Sequence, residues 1–253
     1  MHADAIRSAA ITLAARRLSG ECGPLLQADA APQTLDDALA IQQAVSDLLG
    51  NSVGGWKCGL PDTGKLVLAP IYSSTVAEVS PCPAWVRHGV VRTEPELAFV
   101  FAEGLPARGQ PYRRDEVLAA ISAVRLALEL IDSRYHADPK PSFLQSLADG
   151  LVNQGLWLGP VVDKAQALAA DKLAIRVQQG GRDEMLAGVH PAGDPLAPLL
   201  WLVEFLRQRG EGLLPGQVVI TGSYAGVVEL QPGSPAMLQF GELGTLEVSF
   251  SAR

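Results

Sequence analysis

Thr93-Glu94-Pro95-Glu96-Leu97-Ala98-Phe99-Val100-Phe101 reads as a β-strand with two acids at its head. Four of its last five residues are β-branched or large and apolar, which predicts little exposure on either face. Side chains alternate along a strand, so Glu94 and Glu96 share a face with Ala98 and Val100. Two carboxylates side by side in that setting repel one another and lose hydration. They must be protonated, paired with a base or bound to a cation. Glu129 meets the same difficulty within Leu126-Ala127-Leu128-Glu129-Leu130-Ile131-Asp132. Helix and strand both suit that segment; we read it as a strand because its leucines alternate. Three oxygen-only acids in apolar surroundings point to a hard divalent cation such as Mg²⁺ or Mn²⁺. The competing reading leaves the glutamates at solvated strand ends, because buried acids mark functional sites only statistically.

The chain has 253 residues, 48% of them hydrophobic and 19% charged, enough for a sizeable core. Its net charge of −7, without any long basic cluster, argues against nucleic acid or an anionic membrane as a partner. The three cysteines, Cys22, Cys58 and Cys82, form no CxxC and no zinc pattern, so free thiols in a reducing compartment are expected. No apolar run reaches the length of a membrane span, and the N-terminal apolar run is too short for a secretory signal. A soluble, cytoplasmic protein is the expectation.

Residues 3–19 carry apolar positions at helical spacing, and Thr34-Leu35-Asp36-Asp37 opens a second helix with Asp37 at the capping-box position. These define a helical N-terminal lobe over residues 1–52, followed by a β-rich catalytic domain over 53–253. Glycines bracket a short Trp56-Lys57-Cys58 strand and let backbone or ligand come close. Lys57 there is either a snorkelling surface lysine or a desolvated, functional one. Short strands are expected at 65–68 and 84–88, a helix over 114–124, and further strands at 156–158 and 173–179. Asp194 to Gly210 reads as a helix, and strands follow at 217–221, 237–240 and 244–250. Strands outnumber helices without alternating with them, which predicts an α+β fold.

There is no GxGxxG, GxxxxGK[ST] or HExxH pattern, which excludes the commonest dinucleotide, P-loop and zincin readings. Gly222-Ser223-Tyr224-Ala225-Gly226 sets its serine one position too early for a nucleophile elbow. Ser223 is therefore read as a turn residue able to lend a hydroxyl to a ligand. His190, within Gly188-Val189-His190-Pro191, is the one histidine that stands out.

Taken in order, Gly55-Trp56-Lys57-Cys58-Gly59-Leu60, the Glu94–Phe101 stretch, Leu128-Glu129-Leu130-Ile131-Asp132-Ser133-Arg134, Gly188–Pro191 and Val219-Ile220-Thr221-Gly222-Ser223 form a recognisable series. It resembles the 2-keto-4-pentenoate hydratase / 4-oxalocrotonate decarboxylase family of the fumarylacetoacetate-hydrolase-like superfamily. The resemblance spans nearly the whole chain and implies a strand-rich mixed β core of the fumarylacetoacetate-hydrolase C-terminal type. A helical N-terminal lobe and assembly into a homo-oligomer come with it. It implies that Glu94, Glu96 and Glu129 hold Mg²⁺ or Mn²⁺ and that Lys57 is catalytic. Ser223, His190 and Asp149 are the candidate substrate-binding residues.

Two departures accompany the resemblance. Ala69-Pro70-Ile71-Tyr72-Ser73 stands where relatives carry an acid, and Asp149-Gly150-Leu151-Val152-Asn153 replaces an Asp-Asn-Ala-Ser type motif. The implied substrate is a small 2-oxo or 2-hydroxydienoate acid, and the implied reaction is addition of water to give a 4-hydroxy-2-oxo acid. Decarboxylation of a 2-oxo-3-enedioate is the alternative, followed by C–C hydrolysis of an acylpyruvate or ligand binding without catalysis. Lys57 is expected either to donate a proton or orient the substrate, its pKa lowered by burial and by the metal, or to offset as a cation the one surplus negative charge that three glutamates leave on a divalent ion. Arg134 or Lys140 would have to supply any second cationic pocket for a dicarboxylate.

Overall fold

A computed structural model describes residues Met1 to Arg253. It opens with helices α1 (Ala3–Ser19) and α2 (Leu35–Leu49), which pack against each other. The Thr34 hydroxyl accepts from the Asp37 N–H, and the Asp37 carboxylate accepts from the Thr34 N–H, a complete capping box. Strands β1 (Val53–Cys58), β2 (Leu68–Tyr72), β3 (Val76–Ala77) and β4 (Cys82–Ala84) follow, then the long β5 (Val91–Phe101). Helix α3 (Arg114–Ala120) leads into β6 (Ile121–Ile131), α4 (Phe143–Ala148), β7 (Asn153–Val162) and α5 (Lys164–Leu168). The hairpin of β8 (Ile175–Gln179) and β9 (Arg182–Leu186) precedes α6 (Leu196–Gln208). The chain closes with β10 (Val218–Ile220), β11 (Val228–Leu230), β12 (Ala236–Phe240), β13 (Gly244–Val248) and β14 (Phe250–Ala252).

The main sheet has eight strands in the order β2-β1-β10-β5-β6-β7-β3, with β11 paired to the outer part of β5. Strands β2 and β3 are separated by only Ser73–Thr75, yet they occupy opposite ends of that order. The sheet must therefore curl until its two edges nearly meet. A four-stranded sheet, β13-β12-β8-β9, completes the strand-rich part. This is the α+β, mixed β architecture expected from the sequence.

Alternation along β5 sorts its residues between two cores. Val91, Leu97, Phe99 and Phe101 join the large outer core, which also takes in Leu13, Ile41 and Val45 from α1 and α2. Ala98 faces inward with Ile71, Ala127, Leu156, Leu158, Val218 and Ile220, and these seven fill the inside of the curled sheet. Gly55 lies in this wall, and a Cβ there would fall 2.3 Å from the Val218 carbonyl oxygen. Its glycine thus serves the close approach of β1 to β10, not contact with a ligand.

Several boundaries differ from the sequence reading. The helix expected over 114–124 stops at Ala120, because Ile121, Ala123 and Val124 pair with Phe101, Val100 and Phe99 of β5. The strand expected at 65–68 lies at Leu68–Tyr72, and the one expected at 84–88 lies at Cys82–Ala84. Strand β7 runs well beyond Leu156–Leu158, and α4, α5, β9 and β11 had no counterpart in the sequence reading.

Candidate metal centre

Glu94 and Glu129 stand directly opposite each other in the β5–β6 ladder, and Glu96 stands opposite Ala127. All three glutamates therefore project to the inside of the curled sheet. One carboxylate oxygen from each lies within 4.8 Å of the other two. Glu129 is 0% and Glu96 2% exposed, whereas Glu94 is only half-buried, so the cluster opens outward past Glu94. Like charges placed directly across a ladder destabilise it unless something neutralises them.

Part of the neutralisation is internal. Lys57 Nζ lies 2.8 Å from Glu129 Oε1, with its side chain 12% exposed. The same ammonium donates to the Leu151 carbonyl at 3.3 Å. Asn153 Nδ2 donates to Glu129 Oε1 at 2.9 Å, and the Gly222 N–H donates to Glu96 Oε2 at 2.7 Å. Gly222 holds φ 137°, and a Cβ there would strike the Pro191 ring, so only glycine can bring this N–H to the carboxylate.

The remaining charge is uncompensated. Burial and the Glu129 carboxylate raise the Glu94 carboxyl to about 6, with Lys57 and Arg92 pulling the other way. Burial and Glu129 push Glu96 well above the ordinary carboxylate range. The lysine departs from the sequence expectation of a lowered pKa. Burial does depress Lys57, but Glu129, Glu94 and Glu96 together outweigh it, so the ammonium is held above its ordinary value. Glu129 Oε2 is buried and has no hydrogen-bond partner. Three converging carboxylates, one with an orphaned oxygen, suit a hard divalent cation in both charge and donor type.

The other candidate residues sit around this cluster. His190 is buried, its Nε2 3.2 Å from the Thr221 hydroxyl and its Nδ1 accepting from the Ala192 N–H. Both ring nitrogens are thus engaged behind the Gly222 turn. The single Ser223 hydroxyl hydrogen is shared between the Gly226 carbonyl at 3.0 Å and the Pro95 carbonyl of β5 at 3.3 Å. Asp149 accepts from Arg134 Nε at 2.7 Å in a fully buried ion pair. That pairing removes Arg134 from the cations available to a substrate. Ile71 is buried in the inner core, and Ala69 pairs with Lys57, so both fall on the inner wall where the acid of relatives was expected.

Asn153, Gly222 and the Leu151 carbonyl were not singled out from the sequence. Their signal was present only as the Asp149–Asn153 and Thr221–Ser223 stretches. Gly150, Leu151 and Val152 all have positive φ, at 79°, 51° and 61°, which turns the chain so that the Leu151 carbonyl meets Lys57. Arg17 clamps this turn by donating to the Asp149 and Asn153 carbonyls.

The fumarylacetoacetate (FAA) hydrolase C-terminal family matches residues 62–251, well over half of the chain. The chain belongs to this family. This FAA hydrolase-family chain is 30% identical to the 2-oxo-hept-4-ene-1,7-dioate hydratase of Escherichia coli over 241 residues, covering 86% of this chain and 87% of the relative. It is 26% identical to a 4-oxalocrotonate decarboxylase of Pseudomonas sp. (strain CF600) over 237 residues, covering 90% and 89%. Its fold is similar to that of 4-oxalocrotonate decarboxylase from Pseudomonas putida G7, solved complexed with magnesium and adipate. The TM-score is 0.79 at 20% identity, with 99% of both chains covered. No helix is long and apolar enough to cross a membrane.

Proposed function

We propose that this FAA hydrolase-family chain is a divalent-metal-dependent lyase that adds water to a 2-hydroxy-2,4-dienoate. The observation that carries the reading is the meeting of Glu94, Glu96 and Glu129 beside Lys57 on the inner wall. These three glutamates would hold Mg²⁺ or Mn²⁺. When bound, the cation supplies Lewis acidity toward the carboxylate and 2-oxo oxygens of the substrate. The relatives named above include a hydratase and a decarboxylase of oxo acids, and a decarboxylase of the same fold was solved complexed with magnesium.

Hydration needs a proton at C5 to turn the dienol into a conjugated 2-oxo-3-enoate, then hydroxyl addition at C4 and a proton at C3. Lys57 is the residue of this chain suited to proton delivery. Its ammonium has three hydrogens, two of which are directed at Glu129 and Leu151, leaving one for the bound acid. Asn153 fixes Glu129 and the Gly222 N–H fixes Glu96, so both carboxylates keep one orientation through turnover. The packed inner core below the cluster closes its deep side, so water and substrate reach the glutamates only from the outer side, past Glu94.

Decarboxylation of a 2-oxo-3-enedioate is the second reading. It is favoured by the apolar inner wall at Ala69 and Ile71, where no side chain can hold a water. The test is to incubate the Mg²⁺-loaded protein with 2-hydroxypenta-2,4-dienoate and, separately, with 4-oxalocrotonate. Loss of the dienoate with formation of the 4-hydroxy-2-oxo acid supports the first reading. Release of CO₂ from the second substrate without turnover of the first supports the alternative.

A further inference from the structure

The inside of the curled sheet is closed to a substrate tail on its deep side. Beyond Glu96 lie Ala98, Ala127, Leu158, Val218 and Ile220, all buried and packed on one another. A ligand anchored at the three glutamates must therefore extend outward, past the half-buried Glu94. The next residue on that face of β5 is Arg92, about 7 Å further along the strand. Arg92 is half-buried and has no ion-pair partner and no side-chain hydrogen bond. It lines a cavity of about 590 Å³ whose other polar residues are Gln179, Arg182, Glu184, Glu229 and Gln231. The other arginine there is already committed, since Arg182 pairs with Glu184 at 2.6 Å and donates to the Glu229 carbonyl. Glu229 faces Arg92 across the β5–β11 ladder without forming an ion pair with it.

We infer that Arg92 is a specificity-determining residue: its guanidinium binds the terminal carboxylate of a dicarboxylic 2-oxo acid whose other end lies at the three glutamates. The inference rests on the proposed metal centre. A planar, permanently charged fork suits a carboxylate bidentately, and an arginine left unpaired beside a cluster of acids is available for that purpose. The assignment also bears on the reaction. Decarboxylation of a 2-oxo-3-enedioate releases the far carboxyl as CO₂, which requires that group to give up its charge. A guanidinium stabilises the charge and holds the carboxylate in place, whereas hydration leaves both carboxylates intact.

The test uses 2-oxoadipate and 2-oxohexanoate, which present the same chelating end and differ only in the terminal carboxylate. Both are saturated and cannot be hydrated. Binding to the Mg²⁺-loaded full chain is measured by calorimetry for the wild type, Arg92→Gln and Arg92→Lys. The wild type is expected to bind 2-oxoadipate about 10- to 100-fold more tightly than 2-oxohexanoate. Arg92→Gln should lose that preference, with 2-oxohexanoate binding changed less than about threefold, and Arg92→Lys should recover part of it. A wild type that binds both acids equally overturns the inference while leaving the metal centre standing. An equal loss of both acids in Arg92→Gln also overturns it, because Arg92 would then only balance the charge of the glutamates. If neither acid binds to the wild type, the metal centre fails and the inference fails with it. If the preference holds but no unsaturated 2-oxo acid is turned over, Arg92 keeps its role and the proposed reaction is wrong.

Discussion

Lys57 is enclosed by acids, and that sets what it can do. A lysine whose ammonium is stabilised by Glu129, Glu94 and Glu96 stays charged, which suits the proposed part of proton donor or orienting cation and not that of a neutral base. Lys57→Ala is expected to lower kcat by about 10²-fold or more while Mg²⁺ affinity changes much less. Steady-state kinetics beside metal titration by calorimetry checks this, and near-normal turnover would remove Lys57 from the mechanism. The glutamates carry a second expectation. Burial and Glu129 raise Glu94 to about 6, so in metal-free protein the folded state binds a proton that the unfolded state has already released. Stability of the metal-free protein should therefore fall as pH rises from about 4.5 through about 6. A cation competes for the same oxygens, so Mg²⁺ affinity should instead strengthen over that window. Thermal unfolding with chelator, and calorimetry with Mg²⁺, at pH 5 and pH 7.5 would test both signs. At this scale the sequence was informative, because the Glu-x-Glu period places two acids on one strand face whatever the tertiary context. It was uninformative about the sign of the Lys57 shift, which depends on how many carboxylates surround the ammonium.

Elements were legible where local chemistry governs them and illegible where the partner strand does. Thr34 and Asp37 cap α2 as their spacing required, and Thr34→Ala should cost about 1 kcal/mol in urea unfolding. The segment Arg114–Val124 carries helical spacing throughout, but the end of β5 captures its last four residues as a strand. Strand β2 lies beyond the bounds expected for it because Pro70 argues against a strand; the proline is tolerated since β2 lies at the edge of the sheet order. Helices α4 and α5 are too short for periodicity to reveal. The Gly150–Val152 turn was hidden for a different reason, since leucine and valine seldom adopt positive φ. It is held by Arg17 and by the Arg134–Asp149 pair, whose side chains are 3% and 1% exposed. Arg134→Met leaves Asp149 buried without its partner and should cost about 3–5 kcal/mol. The double replacement Arg134→Met with Asp149→Leu should cost less, because no charge is then stranded. With only Arg17 left to hold the turn, the Leu151 carbonyl is less firmly set against Lys57, so turnover should fall in both variants. Chemical denaturation and kinetics on the same preparations would separate the two effects.

For the whole molecule, the three glutamates are both a strain and a join. They bring together β5 and β6 directly, β1 through Lys57, β7 through Asn153 and the turn after β10 through Gly222. Without a cation, the curled sheet closes around mutually repelling carboxylates with an unsatisfied oxygen at their centre. A ligand that binds only the folded chain stabilises it in proportion to the logarithm of its concentration. At about 100 times its Kd this amounts to about 2.7 kcal/mol. For a chain of this size each kcal/mol moves Tm by about 2–4 °C, so saturating Mg²⁺ should raise Tm by about 5–10 °C. A chelator should return Tm to its starting value. Glu129→Gln provides the deciding control, since it keeps the shape of the side chain but removes charge from the most buried of the three glutamates. Its metal-free Tm should equal or exceed that of the wild type, because like-charge repulsion across the β5–β6 ladder is relieved. Its response to Mg²⁺ should vanish. A Glu129→Gln protein that Mg²⁺ still stabilises by the full amount would mean that the cation sits elsewhere. Destabilisation without metal would mean that loss of the Lys57–Glu129 ion pair outweighs the relief of repulsion, and the Mg²⁺ response alone would then locate the cation.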